Sequence, residues 1–119
     1  MNPRLQIGID SRDPGRLAPF WAAALGYAIG EFDRAGIYLD LVPPGASFPV
    51  VYLQRVPEDK KVKNRVHLDL YVRDPEEKID ELISLGATRL GTPQSGSEGG
   101  WWQVMVDPEG NEFCVCRAE

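Results

Sequence analysis

His67 is the only imidazole in a chain of 119 residues, and it lies in the alternating run KNRVHLDLYV, Lys63–Val72. Residues i and i+2 of a strand share a face, so Asp69 emerges beside it. A histidine placed this way can bind a ligand, move a proton or donate to a divalent ion. The plainer alternative is one polar residue on a wet strand face. Cys114 and Cys116 sit two apart in NEFCVC. Their side chains share a face, but strand geometry holds their Cα atoms roughly 6.5 Å apart, at the edge of disulfide reach and with the wrong directions. Two free thiols and a reducing, cytoplasmic location are therefore expected. A reactive thiol needs cationic neighbours, and the nearby Arg117 has the opposite parity, so packing is the ordinary role for both. Asp10, Asp40 and Asp69 fall on polar strand faces, where a solvated carboxylate is the default. Glu112 lies on the same face as Cys114.

These residues need elements to hold them. LQIGID, Leu5–Asp10, alternates as a strand that buries Leu5, Ile7 and Ile9. Asp13 and Pro14 then cap and open a helix whose apolar stripe is Leu17, Phe20, Trp21, Ala24 and Leu25, with Gly26 as the stop. Pro19 deletes one helical hydrogen bond and is expected to move the start of the regular helix towards Leu17. A weak strand signal spans residues 27–33. GIYLDLV and VVYLQRV, joined through PPGAS, form a hairpin. PEDKKVKN is a polar connector. VHLDLYV is a strand with Val66, Leu68, Leu70 and Val72 on its buried face. Asp74, Pro75 and Glu77 open a second helix with the stripe Ile79, Leu82, Ile83 and Leu85, closed by Gly86. WWQVMV, DPEG and NEFCVC make a closing hairpin. SEGG, Ser97–Gly100, lacks the following helix of a phosphate loop; a lid over the cup or a disordered segment is expected there.

The halves repeat. RDP occurs at Arg12–Pro14 and again 61 residues later at Arg73–Pro75, and Leu25-Gly26 recurs as Leu85-Gly86. A period near 60 residues is too long for a solenoid unit and fits two βαβββ modules. The expected fold class is α+β, with the two modules forming a curved mixed sheet around a cup. The boundaries are module one 4–57, linker 58–64 and module two 65–118, within a single domain. Gln6 maps onto His67, so the two should face each other across the cup. Parity puts Tyr38, Tyr52, Gln54, Tyr71, Trp101, Gln103 and Met105 on the cup face and turns Trp102 towards the helices. Such an aromatic wall with a few amides suits a flat, partly apolar small molecule. The alternative is a cup plugged by its own aromatics.

The net charge of −5 and a pI near 4.9 argue against nucleic acid. KKVKNR is a solvated connector. No apolar run approaches the length that spans a bilayer, and the N-terminus has no signal-peptide pattern.

Paired βαβββ modules with LQRV, KNRVHLDL and DPEGNEFCV resemble the vicinal oxygen chelate superfamily, which includes glyoxalase I, extradiol dioxygenases, fosfomycin-modifying enzymes and bleomycin-binding proteins. More narrowly they resemble its small glyoxalase-like domain proteins. The resemblance implies a homodimer. In metal-dependent members it implies an ion held by one residue from the first strand of each module and a Glu from the last strand. Carried over, these positions are Gln6, His67 and, seven residues after Asp107, Cys114 in place of the Glu; Glu112 lies one pleat away. This incomplete set favours a small-molecule binding protein with no metal or other cofactor. Its polar and aromatic contacts would be Gln6, Asp10, Tyr38, Tyr52, Gln54, His67, Asp69, Tyr71, Trp101, Gln103, Met105, Glu112 and Cys114. The alternative that the resemblance implies is a metal-dependent lyase or dioxygenase acting on adjacent oxygens, with Gln6, His67 and either Glu112 or Cys114 on the divalent metal and Glu112 as the candidate catalytic proton carrier.

Overall fold

The computed structural model describes residues 3–47, 49–96 and 99–118. The chain divides into two compact units, Met1–Asp59 and Lys60–Glu119. The fold is α+β, and the two units repeat one topology.

In the first unit Asp13 caps α1, Pro14–Leu25, by accepting from the backbone N–H of Arg16 at 3.4 Å. Gly26 ends the helix with φ of 72°, a conformation that glycine adopts without a Cβ penalty. Contrary to expectation, α1 runs straight through Pro19. The missing N–H would have served the carbonyl of Gly15 in the first turn. Both residues are exposed, so water can take that carbonyl. Strands β1 (Gln6–Ser11), β2 (Ala28–Phe32), β3 (Tyr38–Val42) and β4 (Val50–Arg55) form a sheet in the order β1-β4-β3-β2. The β1–β4 pair is parallel and the others antiparallel. Leu17, Phe20 and Trp21 of α1 and Leu39, Leu41, Val51 and Leu53 of the sheet are all buried. α1 packs on β2, β3 and β4.

The second unit repeats this plan. Asp74 accepts from the Glu77 N–H at 3.1 Å and starts α2, Pro75–Ser84. Strands β5 (Asp69–Val72), β6 (Thr88–Arg89), β8 (Trp101–Val106) and β9 (Glu112–Arg117) take the order β5-β9-β8-β6, with the two-residue β7 (Gln94–Ser95) added beside β8. β5 and β9 are parallel. Ile79, Leu82, Met105, Phe113 and Val115 are fully buried.

Two strand starts differ from expectation. Leu5 is 63% exposed and Val66 80% exposed, so neither joins the buried face, and β5 begins only at Asp69. The cause in the second unit is local. Where strand pairing would continue, the side chain of Asn64 takes its place. Its Oδ1 accepts from Glu112 N–H at 2.9 Å, and its Nδ2 donates to the Glu112 carbonyl at 3.3 Å and the Val66 carbonyl at 2.6 Å. Ladder bonding takes over one pleat later, where Cys114 N–H donates to the Leu68 carbonyl at 2.9 Å. The Glu112 carboxylate completes the latch. Lys60 Nζ lies 3.0 Å from Oε1 and 2.9 Å from Oε2, and Asn64 N–H donates to Oε2 at 3.3 Å.

Burial pushes the Glu112 carboxyl up, but the Lys60 ammonium and the backbone N–H of Asn64 more than offset this and hold its pKa below the ordinary glutamate value. A carboxylate whose pKa is lowered by folding stabilises the protein above its unfolded pKa, and that contribution is lost as pH falls through the folded one. The stability of wild type against urea should therefore fall between about pH 6 and about pH 3, with Glu112→Gln showing a flatter pH dependence; parallel profiles would show that the carboxylate carries none of it. Asn64→Ala, which removes the side-chain partner of three backbone groups, should cost about 1–3 kcal/mol, read as a lower denaturation midpoint at unchanged slope.

Candidate functional site

A cavity of about 430 Å³ opens within the second unit, lined among others by Lys63, His67, Asp69, Tyr71, Trp101 and Trp102. Val104, Cys114 and Cys116 also line it. Strand pairing explains this membership. Asp69 is the register partner of Cys114, and Tyr71 of Cys116. On the other side of β9, Cys114 pairs with Val104 and Cys116 with Trp102. Directly paired residues share a face, so one row from each of three adjacent strands looks into the cavity. Arg117 lies over the Trp101 ring, 5.2 Å from its centroid, a cation–π contact that braces this wall.

The same register corrects the expected face of β8. Gln103 pairs with Val115 and Met105 with Phe113, on the side opposite the cavity. Both are fully buried. Gln103 is no pocket contact: its Nε2 donates to the carbonyls of Gly91 at 3.1 Å and Val104 at 2.8 Å, and its Oε1 accepts from Arg89 at 3.2 Å. Trp102, expected to turn away, lines the cavity. The missed signal is the hairpin itself. Asp107 N–H bonds to the Asn111 carbonyl at 2.9 Å, and the Asp107 carboxylate receives the N–H groups of Glu109 and Asn111. This five-residue closure pairs even-numbered residues of β8 with even-numbered residues of β9, so the Cys114 face fixes Val104 and Trp102.

The polar end of the cavity is a cluster. His67 Nδ1 lies 2.9 Å from Asp69 Oδ1, with the two side chains 47% and 39% exposed. With the carboxylate ionised, the ring donates from Nδ1 and keeps its lone pair on Nε2. The donor atoms of His67, Asp69 and Cys114 all lie within 4.8 Å of one another. Burial, the Asp69 carboxylate to which the thiol is hydrogen-bonded, and the neighbouring Cys116 push the Cys114 thiol up to about 11. Cys116 is raised by the same burial and carboxylate. Both cysteines are free, and both thiols are protonated near neutral pH.

A divalent ion fits part of the expected set. Glu112 borders the cavity, but both of its oxygens are committed to Lys60 and Asn64. Asp69 completes a nitrogen, oxygen and sulfur set with His67 and Cys114, the mixture that suits zinc.

The remaining expected residues belong to the first unit. Gln6, Asp10, Tyr38 and Tyr52 lie on β1, β3 and β4, with Gln54 paired to Asp10 and Tyr38. They share the face opposite the buried Leu39, Leu41, Val51 and Leu53. The Tyr38 and Tyr52 rings meet edge-on, centroids 6.0 Å apart. Tyr52 also covers its register partner Gly8 so closely that a Cβ there would stand 2.6 Å from the ring. In the repeat, Gly8 and Tyr52 correspond to Asp69 and Cys114. The first unit fills this position with a ring, whereas the second leaves it hollow because Cys114 is small.

No curated protein matches the chain. A glyoxalase/bleomycin resistance protein/dioxygenase family enzyme from Burkholderia phytofirmans superposes with a TM-score of 0.74 at 20% identity, covering 96% of this chain and 97% of its own. A glyoxalase-related enzyme from Fulvimarina pelagi gives a TM-score of 0.74 at 16% identity, over 99% and 89% of the two chains. A bleomycin resistance determinant encoded on the transposon Tn5 gives 0.68 at 19% identity, over 99% of both. These likenesses establish the fold. The sequence model of the glyoxalase-like domain matches residues 6–116, and the chain belongs to that family.

Proposed function

We propose that the protein captures a small, flat aromatic molecule in the cavity of its second unit, with a polar or anionic group reaching Lys63 or Arg117. The observation that carries this reading is the lining itself. Trp101, Trp102 and Tyr71 supply aromatic surface, Val104 and the two protonated thiols supply apolar surface, and Lys63 and Arg117 are cations at the same cavity. Pockets of this volume, apolar with a few placed polar groups, are the usual sites of small-molecule binding. His67 contributes a lone pair that can accept a hydrogen bond from the ligand.

A second reading, a metal-dependent lyase or dioxygenase, is supported by the His67, Asp69 and Cys114 cluster. Proton transfer in such chemistry needs a carboxylate or imidazole at liberty to take and return a proton. Glu112 is tied to Lys60 and Asn64, which tilts the balance towards binding without turnover.

A homodimer belongs to the proposal. Val62, Val66 and Tyr71 are large apolar residues that stay strongly exposed in the single chain, the kind of surface that association removes from water. Light scattering should return twice the chain mass at micromolar concentration; the single-chain mass would remove this part.

A thermal-shift screen of mono- and bicyclic aromatic acids tests the binding reading. At about 100 times its Kd a ligand should stabilise by about 2.7 kcal/mol, several degrees in Tm. Trp102→Ala should weaken the best compound by about tenfold or more, as loss of a buried aromatic anchor does. Absence of any stabilising compound, or equal binding by the variant, would leave the cavity without this role.

A further inference from the structure

We infer that Lys63 selects an anionic ligand for the cavity of the second unit, and that Asn64 is a positioning residue for that selection. The inference rests on the aromatic capture proposed above and deepens it. Of the two cations at the cavity, one reads the charge of the ligand, and the latch on Glu112 sets where that cation stands.

The two cations are not equivalent. The Arg117 guanidinium lies over the Trp101 ring, 5.2 Å from its centroid, where its charge already faces the negative side of an aromatic system. Its register partner is Val72, in the row opposite to Asp69, Tyr71, Cys114 and Cys116. Lys63 is exposed, and among the described residues it enters no ion pair. Its charge is felt inside the cavity. Burial, Asp69 and Cys116 push the Cys114 thiol up, and the Lys63 ammonium pulls the other way. Two carboxylates line the same cavity, and both are engaged elsewhere. Asp69 meets the His67 ring and the Cys114 thiol, and Glu112 meets Lys60 and Asn64. The Lys63 ammonium is left for an anion that arrives with the ligand, beside apolar walls that weaken its screening by solvent.

Position is the second support. Residues 56–68 form neither helix nor strand, so the backbone that carries Lys63 has no ladder to hold it. It is tied on both sides instead. Lys60 Nζ stands 2.9 Å from the Glu112 carboxylate. The Asn64 amide accepts from the Glu112 N–H at 2.9 Å and donates to the Glu112 carbonyl at 3.3 Å. Residue 63 thus lies three positions after one anchor and directly before the other. Fixing this backbone in advance narrows the space that a flexible lysine can sweep and lowers the ordering cost of binding. Glu112 also neutralises Lys60, which leaves Lys63 as the uncompensated cation of the tie. Asn64 is the uncharged part of the latch, so its loss frees the segment without altering the net charge around the cavity.

Titrations of the full chain with 2-naphthoate and with 2-naphthamide, which shares the ring and lacks the charge, isolate this selection. Wild type should bind the acid about tenfold more tightly than the amide, the scale of one charge-assisted hydrogen bond, and the preference should shrink as salt is added. Lys63→Gln should bring the ratio of the two affinities close to one. Arg117→Gln removes the same charge and should keep the preference even where affinity for both compounds falls. Asn64→Ala should lower the ratio by about threefold or more, as the lysine loses its preset position. A merely structural role would not move that ratio, because both compounds need the same folded cavity. Circular dichroism checks folding, and Asn64→Ser replaces Asn64→Ala, with the same expected direction, if the alanine variant does not fold. Equal binding of acid and amide by wild type, a preference lost with Arg117 rather than with Lys63, or an unchanged ratio in the Asn64 variant overturns the inference while aromatic capture stands. Binding of neither compound removes the capture and the inference together.

Discussion

The parallel pairing of β5 with β9 is the constraint on which the second unit's chemistry depends. It sets Asp69 directly beside Cys114 and, through the Leu68 carbonyl, brings His67 to the entrance of the same row. Parallel pairs have no tight turn to fix their register. Here the register is fixed from outside the ladder by Asn64, whose amide satisfies both backbone groups of Glu112, and by Lys60 on the Glu112 side chain. Glu112, one pleat from the family's ligand position, is therefore part of a structural tie. Its carboxylate holds the segment that carries the imidazole.

The duplicated topology shows how one plan yields two surfaces. In the first unit a glycine admits the ring of Tyr52 across the strand pair. In the second, the corresponding pair is a carboxylate and a thiol. Side-chain volume at one position on the last strand decides whether the space beside the first strand is filled or open. Polarity follows from the same exchange, because the hollow left by Cys114 is bordered by Asp69 and His67 at one end and by Trp101 and Trp102 elsewhere.

Much of this was legible in the sequence. The Asp-Pro starts, the Leu-Gly stops and the repeated RDP are local signals, and they specify two helices and their strands with little help from tertiary context. The α+β duplicated fold follows from them, as does family membership through KNRVHLDL and DPEGNEFCV. Three features were not legible. Parity along WWQVMV could be taken either way because Gln103 is polar yet buried, its amide satisfied by backbone carbonyls that only the folded loop supplies. The late start of β5 depends on a side chain replacing a strand partner, which alternation cannot reveal. Pro19 does not delay α1, since a proline near a helix start deletes a bond that solvent can replace. Asn64 carried no recognisable signal beyond its place before a strand.

The central claim is that the cavity of the second unit receives the ligand, and the three tryptophans give an internal comparison. Trp21 is buried in the core of the first unit, whereas Trp101 and Trp102 line the cavity. Indole and imidazole resonances should be followed by heteronuclear NMR during titration with 2-naphthoate. The account predicts that the Trp101, Trp102 and His67 signals shift together and saturably while Trp21 stays fixed. Binding that moves signals elsewhere and leaves those three unchanged would contradict it.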